Sequence, residues 1–252
     1  MFHILAKRHI RVLADFAASN VLLAFDYDGT LAPIVDDPER ADMRTTTRRL
    51  LTSVARRYPC VVISGRRRRD LLKRLRRIPV FHSSGNHGLE PWGRSLKYRD
   101  QVRRWVELLE RRLAPHDGVV VENKAYSLTV HFRRARHRRE AVAAIARAVE
   151  SLRGARSLGG KDAISLVPRG APTKGVALER ARRLLVCDAA IYVGDDQTDE
   201  DAFTAGRADR LLGIRVGSVQ DSQARYRLKN QQEIDLFLRT LLTFRPLRGG
   251  GR

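Results

Sequence analysis

Two carboxylates, Asp26 and Asp28, stand one residue apart directly behind the apolar run Val21-Leu22-Leu23-Ala24-Phe25, and Gly29 and Thr30 follow them. Acids this close repel each other when ionised, and a divalent cation is the usual physical reason to keep both charged. A second acidic cluster, Gly194-Asp195-Asp196-Gln197-Thr198-Asp199-Glu200-Asp201, lies behind another apolar run, Ala189-Ala190-Ile191-Tyr192-Val193. Five acids in seven residues suit the start of a helix, but here they interrupt an overwhelmingly basic chain. Between the clusters, Ser64-Gly65-Arg66 ends the apolar run Cys60-Val61-Val62-Ile63. A hydroxyl backed by glycine can donate to a phosphoryl oxygen, and it can equally cap a helix. Lys174, in Thr173-Lys174-Gly175, opens a helix at the end where the dipole disfavours a cation, which implies an anionic partner. The residues themselves thus offer carboxylates, a hydroxyl and a lysine at strand ends and a helix start, groups able to hold a divalent cation and a phosphoryl oxygen.

The elements that must hold these groups follow from the same runs. Five consecutive apolar residues read as a short strand buried on both faces, and Asp and Gly begin the turn. Asp26 and Asp28 therefore belong at the carboxyl end of a buried strand, where open α/β sheets bind ligands. Periodicity predicts helices over 4–18, from a Thr45 or Thr46 cap to about Arg57, over 68–77, behind a Thr173 cap, and over about 231–243. Residues 31–38 read as a Pro- and Asp-punctuated loop beside the carboxylates. Val80-Phe81-His82 reads as a strand leading into a Gly-rich turn that carries His87, and 211–216 as a further strand. From about Lys97 the pattern changes: a helix over 99–114, strands over 119–122 and 127–132, a helix over 137–152, and strands near 155–158 and 163–167 closed by Pro168 and Gly170. In the second of these strands Leu128, Val130 and Phe132 alternate with Thr129 and His131. This order breaks the parallel βα rhythm. The expected fold class is α/β: a parallel-sheet core over 1–96 and 171–245, an inserted antiparallel α+β cap over 97–170, and a flexible tail over 246–252.

The chain has 252 residues, 43% of them hydrophobic, enough for a core domain with an insert. Its 49 Lys and Arg against 28 Asp and Glu leave a formal charge of +21. The basic residues are mostly Arg and spread along the chain, which suits phosphate-bearing partners. Nothing specifies nucleic acid: no zinc-finger cysteines, no RNA-binding aromatic signature, and 6% aromatics. Cys60 and Cys187 make neither a disulfide framework nor a zinc site, and read as buried thiols in a reducing compartment. With no signal peptide or membrane-length apolar run, the expectation is a cytoplasmic monomer with no membrane partner.

Asp26-Tyr27-Asp28-Gly29-Thr30 resembles the first motif of the haloacid-dehalogenase (HAD) superfamily of phosphatases, Ser64-Gly65 the second, and Lys174-Gly175 the lysine motif. Gly194-Asp195-Asp196-Gln197-Thr198-Asp199-Glu200 resembles the fourth motif in the form found in trehalose-6-phosphate phosphatases. His87-Gly88 with Glu90 is similar to that family's turn into the cap, and Glu122-Asn123-Lys124 with His131-Phe132-Arg133 to its cap segment. The resemblance spans residues 20–240 and implies a HAD-like Rossmannoid core. It further implies that Asp26 attacks phosphorus and that Asp28 protonates the sugar oxygen and later takes a proton from water. Ser64 and Lys174 would hold phosphoryl oxygens. Mg2+ would be bound by Asp26, the Asp28 carbonyl and Asp195, with Asp196 and Asp199 tethering Lys174 or the metal's waters. Gly65, Arg66, His87, Glu122, Lys124, His131 and Arg133 would contact the substrate. One departure stands out: Ser165 occupies the place, three residues before Pro168, where the family usually carries a Glu. The function implied is Mg2+-dependent hydrolysis of trehalose 6-phosphate. The alternatives are another sugar or glycosyl-glycerol phosphate and, more remotely, polyanion binding on the same scaffold.

Overall fold

A computed structural model describes residues 1–35, 38–92, 96–159, 162–219 and 221–246. In chain order its elements are β1 (Phe2–His3), α1 (Ile10–Ala18), β2 (Val21–Phe25), α2 (Thr45–Ala55), β3 (Cys60–Ile63), α3 (Arg68–Arg74), β4 (His82–Ser84), α4 (Leu96–Leu113), β5 (Val120–Asn123), β6 (Leu128–His131) and α5 (Arg138–Glu150). Then come β7 (Ala155–Gly159), β8 (Ala163–Pro168), α6 (Lys174–Leu184), β9 (Ala189–Gly194), α7 (Glu200–Phe203), β10 (Leu211–Val216), β11 (Tyr226–Leu228) and α8 (Ile234–Phe244). They fall into two units: Met1–Gly88 with the chain from Thr173 onward, and Leu89–Pro172.

The first unit is an α/β structure on a parallel sheet of order β1-β11-β10-β9-β2-β3-β4. Every residue of β2, β3 and β9 is buried, as unbroken apolar runs require in a sheet covered on both faces. Phe25 pairs with Val193 on one side and with Val62 on the other. The register therefore brings Asp26, the Gly194-Asp195 turn and Ser64 out along one edge of the sheet. β2 continues in sequence to β3 on one side and lies against β9 on the other, which makes this edge a topological switch point, the crevice where such sheets bind ligands. Phe237, Leu238 and Leu241 of α8 pack into the same core as Leu23, Phe25 and Val62.

The second unit is an antiparallel sheet of order β5-β6-β8-β7. Leu128, Val130 and Leu166 from one face of the sheet join Trp105 and Leu109 of α4 and Ile145 of α5 in a separate core. The alternation expected for β6 is thus the division between that core and the opposite face, which carries Thr129 and His131.

Several boundaries differ from the sequence-based expectations. The first helix starts at Ile10, because Phe2 and His3 pair with Tyr226 and Arg227 and the Ile4 amide donates to the Arg227 carbonyl. The apolar residues at the N-terminus serve a sheet edge before the helix begins. α2 has Arg44 as its N-cap with no side-chain cap, and Thr47 instead donates to Asp235 at 2.6 Å. β4 lies at His82–Ser84, since its register pairs Val61 with His82 and leaves Phe81 exposed. Gln231–Glu233 forms a separate 3-10 turn ahead of α8. Asp36 and Asp37 of the loop after Thr30, and 247–252 of the expected tail, lie outside the described residues.

Candidate active site

The tight turn after β2 is closed by backbone bonds from Gly29 to the Ala32 carbonyl at 2.8 Å and from Leu31 to the Tyr27 carbonyl at 2.9 Å. Gln231 of the 3-10 turn donates its side-chain amide to the carbonyls of Thr30 and Leu31, at 3.0 and 3.2 Å. Gly29 has φ +77, and a Cβ there would lie 2.0 Å from Asp195 Oδ2. Only glycine lets the first acidic turn approach the second this closely. Thr30 completes the approach, its hydroxyl donating to Asp195 Oδ1 at 3.1 Å.

Lys174 is 2% exposed at the first turn of α6. Thr173 caps that helix as expected, accepting from the Val176 amide at 3.4 Å. Lys174 Nζ donates to Asp26 Oδ2 and to Asp199 Oδ1, both at 2.8 Å. This is the anionic partnership that its unfavourable place on the helix dipole required. Burial pushes the ammonium toward neutrality, but the Asp199 and Asp26 carboxylates outweigh it and hold Lys174 charged, above its ordinary range. Asp199 also accepts from the Tyr192 hydroxyl at 2.6 Å and from the Asp196 amide at 2.9 Å. Asp196 caps the turn, accepting from the Gln197 amide at 2.6 Å in a reciprocal box with Asp199.

One lysine does not balance this set. Burial, aided by Asp199 and Asp195 and opposed by Lys174, raises the Asp26 carboxyl well above its ordinary range. Burial, with Asp199, raises Asp195 to about 7. Asp26, Asp195 and Asp199 each offer an oxygen, all within 4.8 Å of one another. Hard oxygens, surplus negative charge and close spacing fit a small divalent cation. Asp199 already accepts three hydrogen bonds, leaving Asp26 and Asp195 as the carboxylates with capacity to spare.

Asp28 is held differently. Arg66 donates Nε to Asp28 Oδ2 and Nη2 to Asp28 Oδ1, both at 2.7 Å, and lies over the Tyr27 ring. The loop carrying Ser64 and Arg66 is laced to the His87 turn: the His87 amide donates to the Ser64 carbonyl at 2.9 Å and the Asn86 amide to the Arg66 carbonyl at 2.7 Å. A Cβ on Gly65 would meet the His87 ring at 2.6 Å. Asn86 and His87 both adopt positive φ, a strained arrangement of the kind found at ligand sites. Ser64 is buried and accepts from the Arg66 amide at 3.2 Å. Arg67 occupies the N-cap position of α3, with no side-chain cap, so Ser64 is not its helix cap.

In the second unit the structure joins Glu122, Lys124 and His131. His131 Nε2 lies 2.9 Å from Glu122 Oε2, and Lys124 Nζ lies 3.6 Å from the same oxygen. Arg133 Nε donates to Asp162 Oδ2 at 3.2 Å. Ser165 pairs with Thr129 across the sheet, their hydroxyls 2.9 Å apart, on the face that also carries Glu122 and His131.

Some positioning side chains escaped the sequence reading. Tyr192 sits in an apolar run and reads as core, although a phenol just before an acidic turn is a usable signal. Arg215 donates to the carbonyls of Asp195 at 2.6 Å and Asp196 at 3.2 Å, and to Glu200 at 2.6 Å. No local pattern marks it, nor Gln231.

The sequence model of a family described as trehalose-phosphatase matches residues 24–232. A curated relative from Oryza sativa subsp. japonica, "Probable trehalose-phosphate phosphatase 9", is 32% identical over 285 residues, covering 94% of this chain and 75% of the relative. Among solved structures, the C. albicans trehalose-6-phosphate phosphatase C-terminal domain superposes with a TM-score of 0.73 at 22% identity, covering 95% of this chain and 97% of that one. A haloacid dehalogenase-like hydrolase from B. subtilis gives 0.60 at 15% identity over 90% of this chain and 99% of that one. These two likenesses bear on the fold.

Proposed function

The chain belongs to the trehalose-phosphatase family of HAD phosphatases, and from that premise we propose that it is a Mg2+-dependent enzyme that hydrolyses trehalose 6-phosphate through a phosphorylated Asp26. The observation that carries the reading is the Lys174–Asp26 pair at the carboxyl end of β2, with Asp28 and Asp195 on the flanking turns.

Asp26, oriented by Lys174 and by the Tyr27 amide, forms a bond to phosphorus as the phosphorus–sugar oxygen bond breaks. Asp28 gives its proton to the departing sugar oxygen. Water then attacks phosphorus, Asp28 takes its proton, and the bond to Asp26 breaks, returning both carboxylates to their starting states. Lys174 and Ser64 offset charge on the phosphoryl oxygens. Asp26, Asp195 and the Asp28 carbonyl would hold Mg2+, which when bound would supply charge compensation for the phosphoryl group. The Glu122, Lys124 and His131 group of the second unit offers hydrogen bonds suited to sugar hydroxyls.

A second reading keeps this chemistry and changes the ester to another sugar or glycosyl-glycerol phosphate. The Ser165–Thr129 pair favours it, because a short hydroxyl replaces the reach of a carboxylate on that face. Phosphate release from trehalose 6-phosphate and a panel of sugar phosphates, with Mg2+ and with EDTA, separates the two. Metal-dependent preference for trehalose 6-phosphate supports the first, preference for another ester the second, and no release from any ester overturns both.

A further inference from the structure

Asp26 and Asp28 are given different cations in different geometries. Asp26 shares one buried ammonium with Asp199. Asp28 has both oxygens in the fork of Arg66, whose side chain is 11% exposed while that of Asp28 is 38% exposed. The fork itself is fixed in place. The Arg66 amide donates to Ser64 Oγ at 3.2 Å, its carbonyl accepts from Asn86 at 2.7 Å, and its guanidinium lies 5.6 Å from the centroid of the fully buried Tyr27 ring. A planar bidentate pair fixes the plane of the carboxylate as well as its distance, which a point charge does not do.

We propose that Arg66 is a positioning residue for Asp28. It holds the carboxylate in one orientation, and by yielding one of its two hydrogen bonds frees one Asp28 oxygen to carry the transferable proton while the other keeps the group in place. This inference rests on the phosphatase reading above. It departs from a substrate-binding role for Arg66, because the guanidinium engages both carboxylate oxygens of the protein's own proton donor.

Delivery of a proton separates from phosphate binding by leaving group, and from a sugar contact by whether the loss persists once Asp28 is already replaced. Departure of a sugar alkoxide needs a proton, whereas departure of p-nitrophenolate needs little. The quantity to compare is kcat/KM, which reports the steps through phosphoryl transfer to Asp26. The experiment measures kcat/KM for trehalose 6-phosphate and for p-nitrophenyl phosphate in the wild type and in Arg66→Ala, Arg66→Lys, Asp28→Asn and Arg66→Ala/Asp28→Asn. Wild-type turnover of neither ester contradicts the phosphatase reading itself, independently of what the variants show.

In an active protein, Arg66→Ala is expected to lose about 100-fold on the sugar ester and only a few-fold on p-nitrophenyl phosphate. Arg66→Lys, which keeps the positive charge but loses the planar fork, is expected to fall between. The double variant is expected to be no worse on the sugar ester than Asp28→Asn alone, because coupled residues do not add. Equal losses on both esters, or additive losses in the double variant, overturn the proposal. If Arg66→Ala does not fold, Arg66→Lys alone and combined with Asp28→Asn decides in the same way: a loss selective for the sugar ester and absent once Asp28 is replaced supports the proposal, and an equal or additive loss refutes it.

Discussion

Lys174 Nζ stands 2.8 Å from Asp26 Oδ2, joining residues 148 positions apart in one buried pair. The same ammonium reaches Asp199, so a single side chain ties the first acidic turn to the second. Removing one member of such a pair leaves the rest as uncompensated buried charge.

Lys174→Met is therefore expected to be costly twice. Stability should fall by about 3 kcal/mol, read from urea unfolding, and kcat should fall by about 100- to 1,000-fold. A kcat within a few-fold of wild type would show that the lysine does not compensate charge in the reaction.

Two left-handed glycines should part company. At Gly217, with φ +87, a Cβ would meet nothing within 4 Å, whereas at Gly29, with φ +77, it would meet Asp195 Oδ2 at 2.0 Å. Gly217→Ala should cost about 1 kcal/mol, for backbone conformation alone. Gly29→Ala should cost more and should raise the Mg2+ concentration needed for half-maximal activity, because it displaces a carboxylate proposed as a ligand. Equal stability losses with an unchanged Mg2+ requirement would show that the close approach of the two turns does not serve the metal.

Asp195 gives a pH dependence with a definite sign. In the metal-free protein its carboxyl is raised from 3.8 to about 7 by burial and by Asp199, so the native state keeps a proton there that the unfolded chain releases. Below pH 4 the group contributes no difference between the states. Above pH 7 the native state carries the full cost of a buried charge, so metal-free stability falls across that window. A cation that answers the charge removes the cost. Mg2+ should therefore raise Tm more at pH 8 than at pH 5, measured by thermal melts with Mg2+ and with EDTA. An equal shift at both values would dissociate the metal from Asp195.

The strand tips were legible in the sequence because unbroken apolar runs such as Val21–Phe25 and Cys60–Ile63 stop sharply at Asp26 and Ser64, and a parallel sheet aligns such tips on one edge. The Thr173 cap and the need of Lys174 for an anion were readable from helix electrostatics. Pairings made by long side chains across the fold were not readable. Arg66 is one arginine in an Arg-rich stretch, and only tertiary contact selects Asp28 as its partner. Arg215 acts on backbone carbonyls, which leave no signature in residue types. The two-residue strand Phe2–His3 is too short to show a period, so its apolar neighbours read as helix.

A phosphorylated Asp26 is tested most directly by a denaturing quench during turnover of trehalose 6-phosphate with Mg2+, followed by peptide mapping. The expected outcome is one phosphoryl group on the peptide that carries Asp26, released by hydroxylamine, and neither this label nor phosphate release in a folded Asp26→Asn protein. Phosphate release at the wild-type rate from Asp26→Asn, or a phosphoryl group found on any other residue, would contradict the assignment of Asp26 as nucleophile.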